Sequence, residues 1–500
     1  MAAAREPGAD GGRTEPGKGA EPGGTDPADR TGQPAGGALP EDTARKPSWR
    51  RLGPGIVVAA TGVGAGDLVS TLLAGSKFGY TLLWAAVIGC VVKIALAEAV
   101  GRWHLATGRT LFDGWRGLGP WTTGYFAVYV VVWGFVYGAT AMTSSALPLR
   151  SLFPDGPGMT FWGVLTGLLG LAFVWFNRYA VVEKLMMVFV GLMFVIVVYV
   201  ALRVAPDMGA ALSGLVPTFP DGSILYSLGL IGGVGGTITM AAYGYWINAK
   251  GWTDSGWMRM MRFDNRVAYA TTGIFVVAML IIGAELLHAS DIALAEGDEG
   301  LLDLSDVLAS RFGETTAKLF LIGFFAASFS SLVGVWHGVS LMFADFVDHL
   351  RAGRGAGPIA ARTDERGTGA ADAADAAAAT DERGTGVTDP GAAGSQPAAS
   401  VALVARGQQE RSLPFRAYVL WLTFPPMALL WLEQPFALVI TYGVLGAFFM
   451  PFLALTLLWL LNSSRTPRQW RNGWLSNALL FLSGVLFVVL CVQQVRELPW

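Results

Sequence analysis

Asp67 closes the run Thr61-Gly62-Val63-Gly64-Ala65-Gly66-Asp67, set inside an otherwise apolar stretch over residues 53–84. Three glycines in five residues weaken a helix. A broken helix exposes main-chain carbonyls and amides, which lipid does not tolerate and a polar cavity does. A carboxylate at such a break is expensive unless it faces a cavity, a cation or a partner. Two compatible roles follow for Asp67: capping the second half-helix through its amides, or holding a cation or substrate. A second glycine-rich run, Gly232-Gly-Val-Gly-Gly-Thr-Ile-Thr-Met240, leads into AAYGYWINAKG. Its glycines serve close helix packing or a break at Gly236, and Gly244 offers a further point of unwinding.

Other polar groups in apolar runs are few. Lys93 and Glu98 are five residues apart, which is poor spacing for a helical pair. They suit ion pairing with other partners, Asp67 being one for Lys93, or a proton or ion pathway. His337 lies near Ser328, Ser330 and Ser331 and reads as a hydrogen-bonded core histidine or as a relay. Glu285 and His288 suit a solvated end or an ion vestibule. There is no P-loop, HExxH, paired CxxC or GxSxG, so no catalytic constellation is visible and no cofactor is expected.

The surrounding elements follow from composition. The chain has 500 residues, 53% of them hydrophobic and 14% charged, with 65 Gly. That is too apolar for soluble cores and argues for a polytopic membrane protein whose partner is the lipid bilayer. A net charge of −2 excludes a basic nucleic-acid binder. Cys90 and Cys491, both in apolar runs, exclude a disulfide scaffold. Residues 1–48 and 351–411 contain no aromatic residue and hold 29 of the 72 formal charges; the second repeats TDERGTG at 363–369 and 380–386. Both are expected to be disordered. Eleven apolar runs fit membrane helices: near 53–76, 80–101, 121–147, 160–176, 182–203, 225–248, 268–288, 315–343, 415–432, 435–461 and 474–495. The expected organisation is a cytoplasmic tail (1–48), helices 1–8 (49–350), a cytoplasmic loop (351–411) and helices 9–11 (412–500). With the N-terminus inside, 15 basic residues of the core fall on inside loops and 6 outside. That places a multi-pass protein in the cell membrane with its C-terminus outside. Spans one and six correspond in two five-span halves, and paired glycine-interrupted helices so placed point to an inverted-repeat transporter with a site near the midplane.

The first span also resembles the natural-resistance-associated macrophage protein (Nramp) family of divalent-metal transporters. Gly53-Pro54-Gly55 and Ala74-Gly75-Ser76-Lys77-Phe78-Gly79-Tyr80-Thr81-Leu82-Leu83-Trp84 match its pattern without a gap, and Thr107-Gly108-Arg109 resembles the TGR that follows its second span. The resemblance implies an all-α, leucine-transporter-like fold of about 11 helices with helices 1 and 6 broken, and proton-coupled symport of a divalent cation by alternating access. The family's DPGN falls on Gly64-Ala65-Gly66-Asp67, so its metal-binding Asp is Gly64 here and the carboxylate stands three residues later. Its Met-Pro-His falls on Thr239, Met240 and Ala241. Asp67, Thr239, Tyr243 and carbonyls around Val63 and Gly64 then offer an all-oxygen site compatible with Mn²⁺ or Mg²⁺. An inward-turned Met240 would favour softer metals. Gly62, Gly64, Gly66, Gly236 and Gly244 are expected to permit the breaks. Two readings compete: an inverted-repeat transporter of a small organic or amino-acid-like solute, and a non-transporting membrane sensor or scaffold.

Overall fold

In the computed structural model the described residues are 45–233, 235–288, 299–351, 409–432 and 435–497. The expected disordered tail and loop therefore lie outside them, except for residues 45–48, 351 and 409–411. The described residues form helices and no strands.

The first half of the bundle contains α1 (Pro54–Gly62), α2 (Ala65–Phe78), α3 (Leu83–Thr107), the short α4 (Leu111–Arg116), α5 (Pro120–Leu152), α6 (Met159–Phe176) and α7 (Tyr179–Arg203). After the short α8 (Met208–Ser213), the second half contains α9 (Ile224–Gly233), α10 (Tyr243–Ala249), α11 (Met258–Leu286), α12 (Glu299–Phe312), α13 (Glu314–Arg351), α14 (Leu413–Leu430) and α15 (Pro435–Asn462). α16 (Trp474–Glu497) closes the chain. Among the described residues nine segments are long and apolar enough to cross a membrane. The pairs α1–α2 and α9–α10 are too short to qualify piecewise, and each supplies one further, broken span. Each half has five crossings, and an odd number starts the second half on the opposite side from the first. The repeat is therefore inverted.

Hydropathy draws two helices too short. α11 begins at Met258, ten residues before the expected start, because Arg262 on its first turns pairs with Glu98 on α3 at 2.9 Å and the charge is satisfied within the helix. α13 runs on to Arg351 for a similar reason, with Asp345 and His349 paired. Between the expected spans 268–288 and 315–343 the chain forms α12, whose Leu304 and Leu308 are fully buried. α2 ends where Gly79 turns to φ 57°, a conformation open to glycine at little cost.

α13 is the central post, packing on α7, α5, α14 and α1; α11 packs on α1, α2 and α3. Trp103, Trp115, Trp133, Trp246 and Trp336 are buried in one continuous core around these contacts. Val188, Val195, Phe481 and Leu482 instead stand exposed on α7 and α16. Apolar side chains facing outward from spanning helices suit a hydrocarbon solvent, not water.

Candidate cation site

The two breaks meet. α1 stops at Gly62, Gly64 is extended (φ −119°, ψ −161°), and α2 restarts with Leu68 N donating to Gly64 O at 3.1 Å. Only Val63 and Gly64 separate the half-helices. Across the site the chain leaves α9 and passes Gly235 (φ 75°) and Gly236 (φ 88°) before a 3-10 turn over Ile238–Met240. A Cβ on Gly62 would stand 1.9 Å from Gly236 N and 2.0 Å from Gly235 C. The backbones touch, and no side chain fits between them.

Polar groups converge on this contact. Ser331 Oγ on α13 donates to Thr61 O at 2.7 Å, so the Tyr137 hydroxyl, 3.0 Å away, donates to Ser331. Tyr269 donates to Gly235 O at 3.2 Å. Lys93, fully buried on α3, donates to Gly236 O. The hydroxyls of Thr237 and Thr239 are buried and make no hydrogen bond among the described residues. A buried hydroxyl without a partner is costly, so both are available to a bound ion or its water. Gly64 explains where a carboxylate at that position would go: a Cβ there would lie 2.4 Å from Ser331 Oγ. The serine hydroxyl occupies the space.

The expected site residues divide accordingly. Gly62, Val63, Gly64, Gly236 and Thr239 are brought together. Asp67 and Gly66 lie on the first turn of α2, but their side-chain surroundings fall outside the described residues. Met240 is fully buried in the main apolar core. Tyr243 is also buried, but its hydroxyl lies 3.5 Å from both Met261 O and Asp264 Oδ2, so it faces α11 rather than the break. Gly244 lies inside α10, and the unwinding occurs earlier, where Gly235 and Gly236 adopt positive φ. Of the pathway candidates, Glu98 bridges Arg102 at 3.2 Å and Arg262 at 2.9 Å. His337 accepts from Trp246 Nε1 at its Nδ1 (3.3 Å), which leaves Nε2 to donate to Glu410 at 3.3 Å. Among the described residues no group of three His, Cys, Asp or Glu gathers as a metal cluster.

Three polar groups were not singled out from the sequence. Asp264 is fully buried and accepts from Gly53 N (2.9 Å) and Gly55 N, holding the start of α1. The signal for it was indirect: a helix beginning Gly-Pro-Gly has no capping side chain of its own, and its first amides need a partner. Beside it Lys250 pairs with Glu183, over Gly53. On the same face His349 bridges Asp113 at 2.7 Å and Asp345 at 3.1 Å, and Tyr245 donates to Asp345 at 2.6 Å. Burial pushes the Asp113 carboxyl up, but the hydrogen bond and charge of His349 outweigh it and hold the group below its ordinary range. Glu410 is likewise pushed up by burial and pulled below its ordinary range by His337.

Residues 55–354 match the model of the natural resistance-associated macrophage protein-like family. The chain is 28% identical over 324 residues to the divalent metal cation transporter MntH of Mycobacterium tuberculosis strain H37Rv, covering 61% of this chain and 73% of that one. It is 29% identical over 328 residues to the MntH of Mycobacterium leprae, covering 61% and 74%. Its fold is similar to that of a mutant manganese transporter of Eremococcus coleocola, with a TM-score of 0.66 at 16% identity over 90% of this chain and 88% of that chain.

Proposed function

The chain belongs to the natural resistance-associated macrophage protein-like family, and from that premise we propose that it carries a divalent metal cation across the cell membrane by alternating access, as a secondary transporter. The observation that carries the reading is the meeting of the two helix breaks at Gly62 and Gly235–Gly236, where freed carbonyls and the Thr237 and Thr239 hydroxyls collect. Asp67 supplies the negative charge of the site. The open donors at the breaks, the Thr237 and Thr239 hydroxyls, are oxygens, and the cargo is a hard or borderline ion of the Mn²⁺ or Mg²⁺ kind. The relatives' shared name supports the divalent class. Proton symport is the family expectation, with His337 and Glu98 as the groups to examine. The N-terminus lies in the cytoplasm and the C-terminus outside, as the distribution of basic residues supports. The organic-solute and scaffold readings draw nothing from the family.

The test is uptake of Mn²⁺ and Mg²⁺ into proteoliposomes holding the full chain. Uptake by the native protein and its loss in Asp67→Asn are expected. Unchanged uptake in the variant would remove Asp67 from the site, and absence of any divalent uptake would remove the reading.

A further inference from the structure

A lysine is an unexpected neighbour for a cation site. Lys93 is fully buried, and its ammonium donates to the Gly236 carbonyl, on the peptide that touches helix 1. Met450 Sδ lies 4.0 Å from Nζ and the Phe487 ring 5.7 Å, both on fully buried residues. A charge taken out of water is expensive unless it is paired and hydrogen-bonded. Its place at the break sets a positive charge beside the candidate cation site.

We propose that Lys93 sets the affinity of the site: its ammonium holds a carbonyl freed by the helix-6 break and stands as a tethered rival to the transported ion. The proposal rests on the cation-transport reading above. Gly235 and Gly236, at positive φ, turn their carbonyls out of the helical ladder. Tyr269 holds the first and Lys93 the second, while the Thr237 and Thr239 hydroxyls stay open beside them. A divalent ion drawn to those hydroxyls and carbonyls meets a positive charge already in place. Like charges repel strongly in a dry interior. The ion either pushes the lysine off the carbonyl or binds at a greater distance, and both weaken it. Transport benefits, because an ion held too tightly does not leave.

The experiment measures Mn²⁺ binding by calorimetry to the full-length protein in detergent, for the native chain, Lys93→Met, Lys93→Gln and Lys93→Arg. Thermal unfolding checks that each variant is folded. Both uncharged variants are expected to bind about tenfold tighter or more, whereas Lys93→Arg stays close to the native affinity. In proteoliposomes KM and kcat for Mn²⁺ fall together in the uncharged variants, because release slows. A purely structural lysine would not give that pairing. Should Lys93→Met not fold, Lys93→Gln, which keeps a donor for the carbonyl, decides alone. Equal or weaker binding in the folded uncharged variants overturns the proposal and leaves the transport reading intact. If the native chain and the uncharged variants bind no divalent ion, the reading and the proposal fall together.

Discussion

Asp264 is the residue on which the start of α1 depends. Two amides donate to its carboxyl group, and removing it would leave both buried donors without an acceptor. Asp264→Ala should lower the thermal midpoint and loosen α1. Ala59, 3% exposed on α1, gives the readout: Ala59→Cys should react faster with a permeant thiol reagent in the Asp264→Ala background. Unchanged reactivity would show that Asp264 does not hold the half-helix. Asp113 gives a pH dependence. Its carboxyl is held below the ordinary 3.8. A depressed acid stabilises the fold fully above its unfolded value and loses that contribution as the pH falls through the lower folded value. The native thermal midpoint should therefore drop with acidification below about pH 4, and Asp113→Asn should drop less over the same range. At this scale the sequence was legible in part. The glycine runs of both breaks could be read, because composition marks them. Asp264 and Asp113 sit among ordinary loop-like charges, and only the fold brings them to Gly53 and His349. A tyrosine near a break can turn either way, and Asp264, which the Tyr243 hydroxyl meets, lies 21 residues on.

Among the elements, the break in helix 6 is made by backbone conformation. Gly236 at φ 88° resists any side chain, since a left-handed residue costs roughly 1–2 kcal/mol. Gly62 resists for a different reason, as its Cβ would meet main-chain atoms that cannot rotate away. Gly62→Ala should cost about 3 kcal/mol, the upper end for overpacking, and should abolish uptake. Gly244→Ala should be tolerated, because the nearest atoms a Cβ there meets belong to His104, from 3.4 Å outward. A reversal of these two results, read by uptake and thermal melts, would relocate the break. Hydropathy found every span but shortened α11 and α13. A window cannot know that Arg262 will find Glu98, or that His349 will find Asp113.

For the whole molecule, the inverted repeat was legible from the span count and from the two glycine runs lying one half apart. The polar networks of Lys250 with Glu183 and of His349 with its two aspartates were not, since each joins segments from both halves. Glu410, just before α14, accepts from His337 and from Tyr179 N, and so fastens the start of the last three helices to the core. Replacing residues 352–408 by a Gly/Ser linker while keeping Glu410 should leave Mn²⁺ uptake within about twofold, a change of under 0.5 kcal/mol. A much larger loss would give that segment a part in the cycle. The contact of Gly62 with Gly235–Gly236 has a wider consequence. It is built from main chain alone, so its shape is set by backbone conformation and offers no side chain to exchange. The carbonyls it frees are common to any cargo, and the choice among ions is left to the side chains gathered around them. Such a frame can shift its preference by a few substitutions at Ser331, Lys93 or Thr239, whereas one methyl group at Gly62 would force the two breaks apart.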